Sequence, residues 1–133
     1  YLVAELPKHQ GHQTANQAIQ EICGVVAWFS SSEEFNQVQE KLLNPDSGVE
    51  EDRTEYGDFQ TNEALARRVV SLLAEQGVEP HVVVEPTCGK GAFLLAALEA
   101  FPTVRRVFGV EIYRPYVWEA KFRILHYFLH HPQ

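Results

Sequence analysis

A chain of 133 residues, 45% hydrophobic and 22% charged, has the composition of a globular domain with one modest core, not of a disordered or fibrous chain. Its formal net charge of −7 at pH 7 excludes this segment as the sole grip on a phosphate backbone, because such a grip depends on clustered Lys and Arg. The longest apolar runs, Val82 to Val84 and Ala92 to Leu98, fall far short of the roughly 20 residues that span a bilayer.

In chain order, Ile19, Ile22, Val26 and Phe29 recur at spacings of three and four. That spacing predicts a helix over 14–29 with those side chains on its buried face. Ser31 and Glu34 stand at capping-box spacing, and Phe35, Val38 and Leu42 continue at helical intervals until Asn44 and Pro45 stop a second helix. The pair reads as an α-helical hairpin, which defines an N-terminal helical segment over residues 1–45. Asp46 to Asp58, rich in Gly, Asp and Glu, reads as a solvated loop that opens a second segment over residues 46–133.

Thr61 or Asn62 then caps a helix carrying Leu65, Val69, Leu72 and Leu73, and Gly77 is placed to end it in a left-handed conformation. Val82 to Val84 is an uninterrupted β-branched run, the pattern of a strand buried on both faces of a parallel sheet. A glycine-bearing turn leads into a helix over Ala92 to Phe101, and Val104 to Val110 is a second strand. Pro115 suits the first turn of a last helix, whose apolar side carries Trp118, Phe122, Leu125 and Leu129. Strands alternating with helices imply parallel strands joined by right-handed crossovers, so residues 46–133 read as the opening portion of a doubly wound α/β sheet. Two strands alone leave unpaired edges and bare apolar helix faces, so self-association, a partner subunit or further segments are expected to cover them.

The chemistry concentrates in Glu85-Pro86-Thr87-Cys88-Gly89-Lys90-Gly91-Ala92-Phe93. At the carboxyl edge of a parallel sheet, a strand-to-helix turn with Gly89 and Gly91 lets a nucleotide-like ligand approach the main chain. Glu85 projects a carboxylate there, which repels a pyrophosphate and welcomes an amino-bearing or cationic ligand. S-adenosylmethionine therefore fits better than a dinucleotide. The second strand ends in Val110-Glu111-Ile112, 26 residues beyond Glu85, near the separation of about 20 between a glycine loop and its ribose acid. Glu111 is the candidate for the ribose hydroxyls, and Ile112 for covering an adenine ring.

These residues bring a family into view. The Glu-Pro-x-Cys-Gly-x-Gly-Ala-Phe string over 85–93, Gly-Val-Glu-Ile over 109–112 and Tyr-Gly-Asp-Phe-Gln-Thr over 56–61 stand in the order of three motifs of S-adenosylmethionine-dependent DNA adenine-N6 methyltransferases of restriction-modification systems. The stretch from Glu55 to Leu125 resembles the cofactor-binding part of that Rossmann-like family. The resemblance implies that Phe59, Gln60 and Thr61 contact the methionine part of the cofactor, Thr61 its carboxylate. It further implies that Glu85 and the Cys88 to Gly91 backbone bracket methionine and ribose, and that Glu111 binds the ribose. The chain departs from the family in having Asn62 and Glu63 where proline often follows the threonine. It also has no Asn/Asp-Pro-Pro-aromatic tetrapeptide, which in the family stacks on the flipped base and hydrogen-bonds the target amino group. No residue of this chain is therefore assigned a catalytic role, and DNA is expected to be held by segments outside it.

Other readings are weaker. Lys90 lacks the surrounding pattern of a phosphate loop, and the third glycine of a dinucleotide fingerprint is absent. Cys88 has no activating partner in sequence and reads as a packed residue. His9, His12, His130 and His131 lack companion ligands for a metal, so none is expected. Trp118, Phe122, Tyr127 and Phe128 at helical spacing read as core before base-stacking platform. Cys23 and Cys88 show no paired spacing, which fits reduced thiols in a cytoplasmic protein. The chain begins at Tyr1, contains no Met and shows no signal-peptide pattern, so it is expected to be a piece of a longer product. Two alternatives stay open: an RNA or protein methyltransferase with the same cleft, and a non-catalytic cofactor-binding or scaffolding module.

Overall fold

The structure, a computed structural model, describes residues 4–44 and 60–131. It is a mixed α/β chain that divides into two compact units, Tyr1–Gly57 with Phe128–Gln133 and Asp58–Tyr127.

In the first unit, a short 3-10 turn, Leu6–Lys8, precedes α1 (His12–Cys23) and α2 (Ser32–Leu43). The hairpin expected from sequence is present, but α1 is shorter than the spacing of its apolar residues suggests. It ends at Gly24, whose φ of 77° is left-handed, the usual glycine stop. The buried face is Ala15, Ile19 and Cys23, whereas Ile22 and Val26 are exposed. Phe29 is buried, yet from an extended segment outside the helix. The reason is Asn16, whose side-chain amide donates to the Phe29 carbonyl (2.9 Å) and accepts from its N–H (2.8 Å), drawing the chain back along α1. Phe29 then meets Trp28 and Phe35 edge to face, with centroids 4.5 and 5.2 Å away. At the start of α2 the Ser31 hydroxyl accepts from the Glu34 N–H, while Glu34 reaches back to the N–H of Ser30 instead of Ser31. The capping box is thus closed one residue early. Asn44 caps the C-terminal end of α2, where the sequence stops it.

The second unit runs α3 (Glu63–Glu75), β1 (Val82–Glu85), α4 (Ala92–Ala100), β2 (Arg106–Gly109) and α5, which begins at Arg114 and continues to His130. Asn62 is the N-cap of α3, its Oδ1 accepting from the Ala64 N–H (2.9 Å), so Thr61 is not needed for that role. At the other end the Val78 N–H donates to the Leu73 carbonyl and the Gly77 N–H to the Ala74 carbonyl, with Gly77 at φ +78°. This pair of bonds is a Schellman motif.

β1 and β2 form a two-stranded parallel sheet in the register Val82↔Arg106 to Glu85↔Gly109, with α4 as the crossover. One face packs on the helices. Ala66 and Val70 of α3 and Ala96 and Ala97 of α4, with Phe101, form the core that Val83 and Val104 complete. The alanines matter because they let the two helices approach closely.

One expectation changes here. Val82, Val84 and Phe108, which share the other face of the sheet, are exposed. β1 is therefore covered on one face only. The apolar stripe of α3 read from sequence, Leu65, Val69, Leu72 and Leu73, is exposed as well. At about 100° per residue, that stripe and the Ala66–Val70–Ala74 stripe are adjacent halves of one broad apolar arc, and α4 covers the alanine half. Among the described residues no helix is long and apolar enough to cross a membrane.

Candidate functional site

The site is the loop from Pro86 to Gly91 between β1 and α4, together with the end of β2. The sheet ladder continues into it. The Val110 N–H donates to the Glu85 carbonyl and the Cys88 N–H donates to the Val110 carbonyl, both at 2.9 Å. The loop then turns on itself, with the Gly91 N–H donating to the Cys88 carbonyl at 2.7 Å. Gly89 and Gly91 have φ of +50° and +81°, a region that side chains other than glycine rarely occupy.

Gly91 is also short of space, and at Gly89 a side chain would displace the end of Gln60. A Cβ on Gly89 would lie 2.6 Å from Gln60 Oε1, and one on Gly91 would lie 3.1 Å from the Ala120 Cβ. A third glycine, Gly109 at the end of β2, is equally constrained, since a Cβ there would meet Cys88 Sγ and Leu94 Cδ1 at 2.8 Å. The signal for Gly109 is its place inside a strand, which marks close backbone approach.

Glu111 faces the loop. Its Oε2 accepts from the Gly89 N–H (2.9 Å) and its Oε1 from the Tyr113 N–H (2.7 Å). From the α3 side, Gln60 Oε1 accepts from the Lys90 N–H (3.1 Å). Two consecutive loop amides thus present donors outward, and each meets a side-chain oxygen from a different element. Glu85 is half-buried at the tip of β1, and burial pushes its carboxyl above the ordinary value. The Cys88 thiol is pushed up as well, first by burial and then by the Glu111 and Glu85 carboxylates. Both acids therefore act on the same sulfur, and that thiol is no activated nucleophile.

Of the residues singled out from sequence, Gln60, Glu85, Cys88, Gly89, Gly91 and Glu111 converge on this loop. Ile112 is 82% exposed beside Glu111. Thr61 is exposed and lines a cleft of about 580 Å³ with Gln60, Glu63, Lys90, Glu119 and Arg123. That cleft lies on the flank of the loop facing α3 and α5, and neither Glu85 nor Glu111 lines it. Phe59 lies outside the described residues. Among the described residues no group of three His, Cys, Asp or Glu is placed to hold a metal ion; the His12 Nδ1 is instead 2.9 Å from Ser32 Oγ. Trp118 is buried and Tyr127 donates its hydroxyl to the Leu98 carbonyl (3.0 Å), so both serve packing.

Arg123 was not visible as a site residue from sequence. It reaches the loop from 33 positions away, its Nη1 donating to the Lys90 carbonyl at 2.9 Å, and no local pattern announces such a contact.

Over 73 residues, 55% of its length, the chain is 45% identical to the type II methyltransferase M.NspV of Nostoc sp.. It spans about 15% of the length of that protein. No family model matches the chain, and no solved structure matches it closely enough to count as similar.

Proposed function

We propose that this chain is the cofactor-binding opening of an S-adenosylmethionine-dependent methyltransferase of the restriction-modification type, acting on adenine N6 in DNA. The observation that carries the reading is the convergence of Glu85 and Glu111, at adjacent strand tips, on a glycine loop with two outward amide donors. The similarity to a type II methyltransferase supports it. The parallel pair β1–β2 with its α4 crossover is read as the first unit of a Rossmann-like doubly wound sheet.

The residues suit this cofactor. A partly buried carboxylate whose pKa is raised by desolvation gains from a cation beside it, and the cofactor brings an ammonium group. Glu111 is already oriented by two N–H donors and keeps lone pairs for vicinal hydroxyls. Ile112 offers exposed apolar surface next to it for an adenine ring. Gln60, Thr61 and Phe59 belong to the segment assigned to the methionine end. The bound cofactor supplies an electrophilic methyl group; the chain contributes binding and orientation, and catalysis is mostly positioning. With a net charge of −7, the DNA contact is assigned to other parts of the full polypeptide.

Calorimetric titration of the full polypeptide with S-adenosylhomocysteine tests the first step. One site is expected, with no binding of NAD. Glu111→Ala should weaken it about tenfold or more, the worth of a charged hydrogen bond. Labelled methyl transfer to duplex DNA, read as N6-methyladenine, tests the target, with RNA and protein acceptors as comparison. A folded sample that binds NAD but not S-adenosylhomocysteine would sink the reading.

A further inference from the structure

We infer that α5 sets the conformation of the glycine loop, with Arg123 as the positioning residue that fixes it. The inference rests on the reading of that loop as the cofactor site. Tyr116, Glu119, Ala120 and Arg123 are spaced i, i+3, i+4 and i+7, one face of a helix. All four meet the single dipeptide Lys90-Gly91. The Lys90 ammonium is 3.1 Å from Glu119 Oε2 and lies over the Tyr116 ring, 5.2 Å from its centroid. The missing Cβ of Gly91 is what lets the loop rest on Ala120. Arg123 completes the face by donating from Nη1 to the Lys90 carbonyl (2.9 Å) and from Nη2 to Glu63 Oε1 (2.6 Å).

That second bond ties the loop to a frame. Glu63 opens α3 and also pairs with Arg67, which in turn pairs with Glu99 of α4 at 2.7 Å. The guanidinium therefore bridges the loop to the two helices that form the core. Only Arg does this, because its planar fork presents two donors in fixed directions, whereas Lys offers one point charge on a flexible stem.

The consequence lies in the next peptide. Holding the Lys90 carbonyl towards α5 fixes the peptide whose N–H donates to the Cys88 carbonyl. The turn so closed aims the Gly89 and Lys90 N–H groups at Glu111 and Gln60. Those two bonds hold the Glu111 and Gln60 side chains that a cofactor would meet. Preorganising them lowers the ordering cost of binding, so loss of Arg123 is felt in ligand affinity although Arg123 need not touch the ligand.

The test is amide hydrogen exchange of residues 86–92, with S-adenosylhomocysteine titration, on the full polypeptide and on Arg123→Met and Arg123→Lys. Arg123→Met should speed exchange at Gly89, Lys90 and Gly91 and weaken the ligand, each by about tenfold. The amides of β1 and α4 should keep their protection. Arg123→Lys should restore neither, since the charge returns without the fork. Unchanged loop exchange in a folded Arg123→Met protein overturns the clamp, as does loss of protection spread evenly over the unit. If the unsubstituted protein fails to bind S-adenosylhomocysteine while Arg123→Met still loosens the loop selectively, the clamp stands and the cofactor reading fails. If Arg123→Met does not fold, Glu63→Gln, which removes the charge at the other arm, should loosen the same three amides.

Discussion

At the scale of single residues, Glu85 gives the sharpest prediction. Burial raises its carboxyl above the ordinary value of 4.5, so the fold favours the protonated acid, and the stability this group contributes is lost as pH rises through the raised value. A bound ammonium reverses the preference by stabilising the carboxylate. Affinity for S-adenosylhomocysteine should therefore climb as pH rises from 4.5 towards neutrality and flatten once Glu85 is ionised. Titrations at several pH values should show that climb, and Glu85→Gln should bind weakly and without it. A Glu85→Gln profile identical to the unsubstituted one means that no cation sits beside this residue. The site is not legible to the same degree at every position. Glu85, Gly89, Gly91 and Glu111 can be read because a strand-to-helix turn restricts what can stand there. Arg123 acts through contacts with residues distant in sequence, which no local pattern records.

At the scale of elements, two glycines with nearly equal φ separate strain from contact. A Cβ on Gly77, at φ +78°, would have nothing within 4 Å, whereas one on Gly91, at +81°, would have Ala120 at 3.1 Å. Gly77→Ala should cost only the left-handed strain, about 1 kcal/mol, without touching ligand affinity. Gly91→Ala should cost about 1 kcal/mol more, because α5 must move away, and should weaken S-adenosylhomocysteine as well. Thermal unfolding and calorimetry check both; equal losses in the two variants would mean that the loop does not rest on α5. The helices also show where spacing misleads. In α1 the apolar spacing of three and four runs on past Gly24, although that glycine ends the helix. In α3 two apolar stripes lie side by side, and sequence does not say which half its neighbour covers.

At the scale of the whole molecule, the exposed apolar surface is the salient feature. Val82, Val84 and Phe108 on the sheet and Leu65, Val69, Leu72 and Leu73 on α3 are all exposed. Parallel sheets are found covered on both faces, and contiguous apolar patches on soluble proteins mark contact surfaces. The 133-residue chain by itself is therefore expected to bind a hydrophobic dye and to self-associate in sizing chromatography. Val84→Glu with Phe108→Glu should suppress both while leaving the helical circular dichroism intact. A chain that is monomeric and dye-silent without those substitutions would show that the faces are not sticky.

Local decisions belong to the amino-acid order alone: the Ser31 cap, the stop at Gly77, the helix–strand alternation of the second unit, and the glycine loop between two acid-tipped strands. Each depends on backbone preference and on side chains within a few positions of one another. Tertiary packing was needed to decide which helix faces are buried, that Phe29 packs from an extended segment, and that α5 grips Lys90 and Gly91. Those outcomes turn on which surfaces fit one another at close-packed density. They are properties of pairs of elements, and a one-dimensional pattern specifies only one member of each pair.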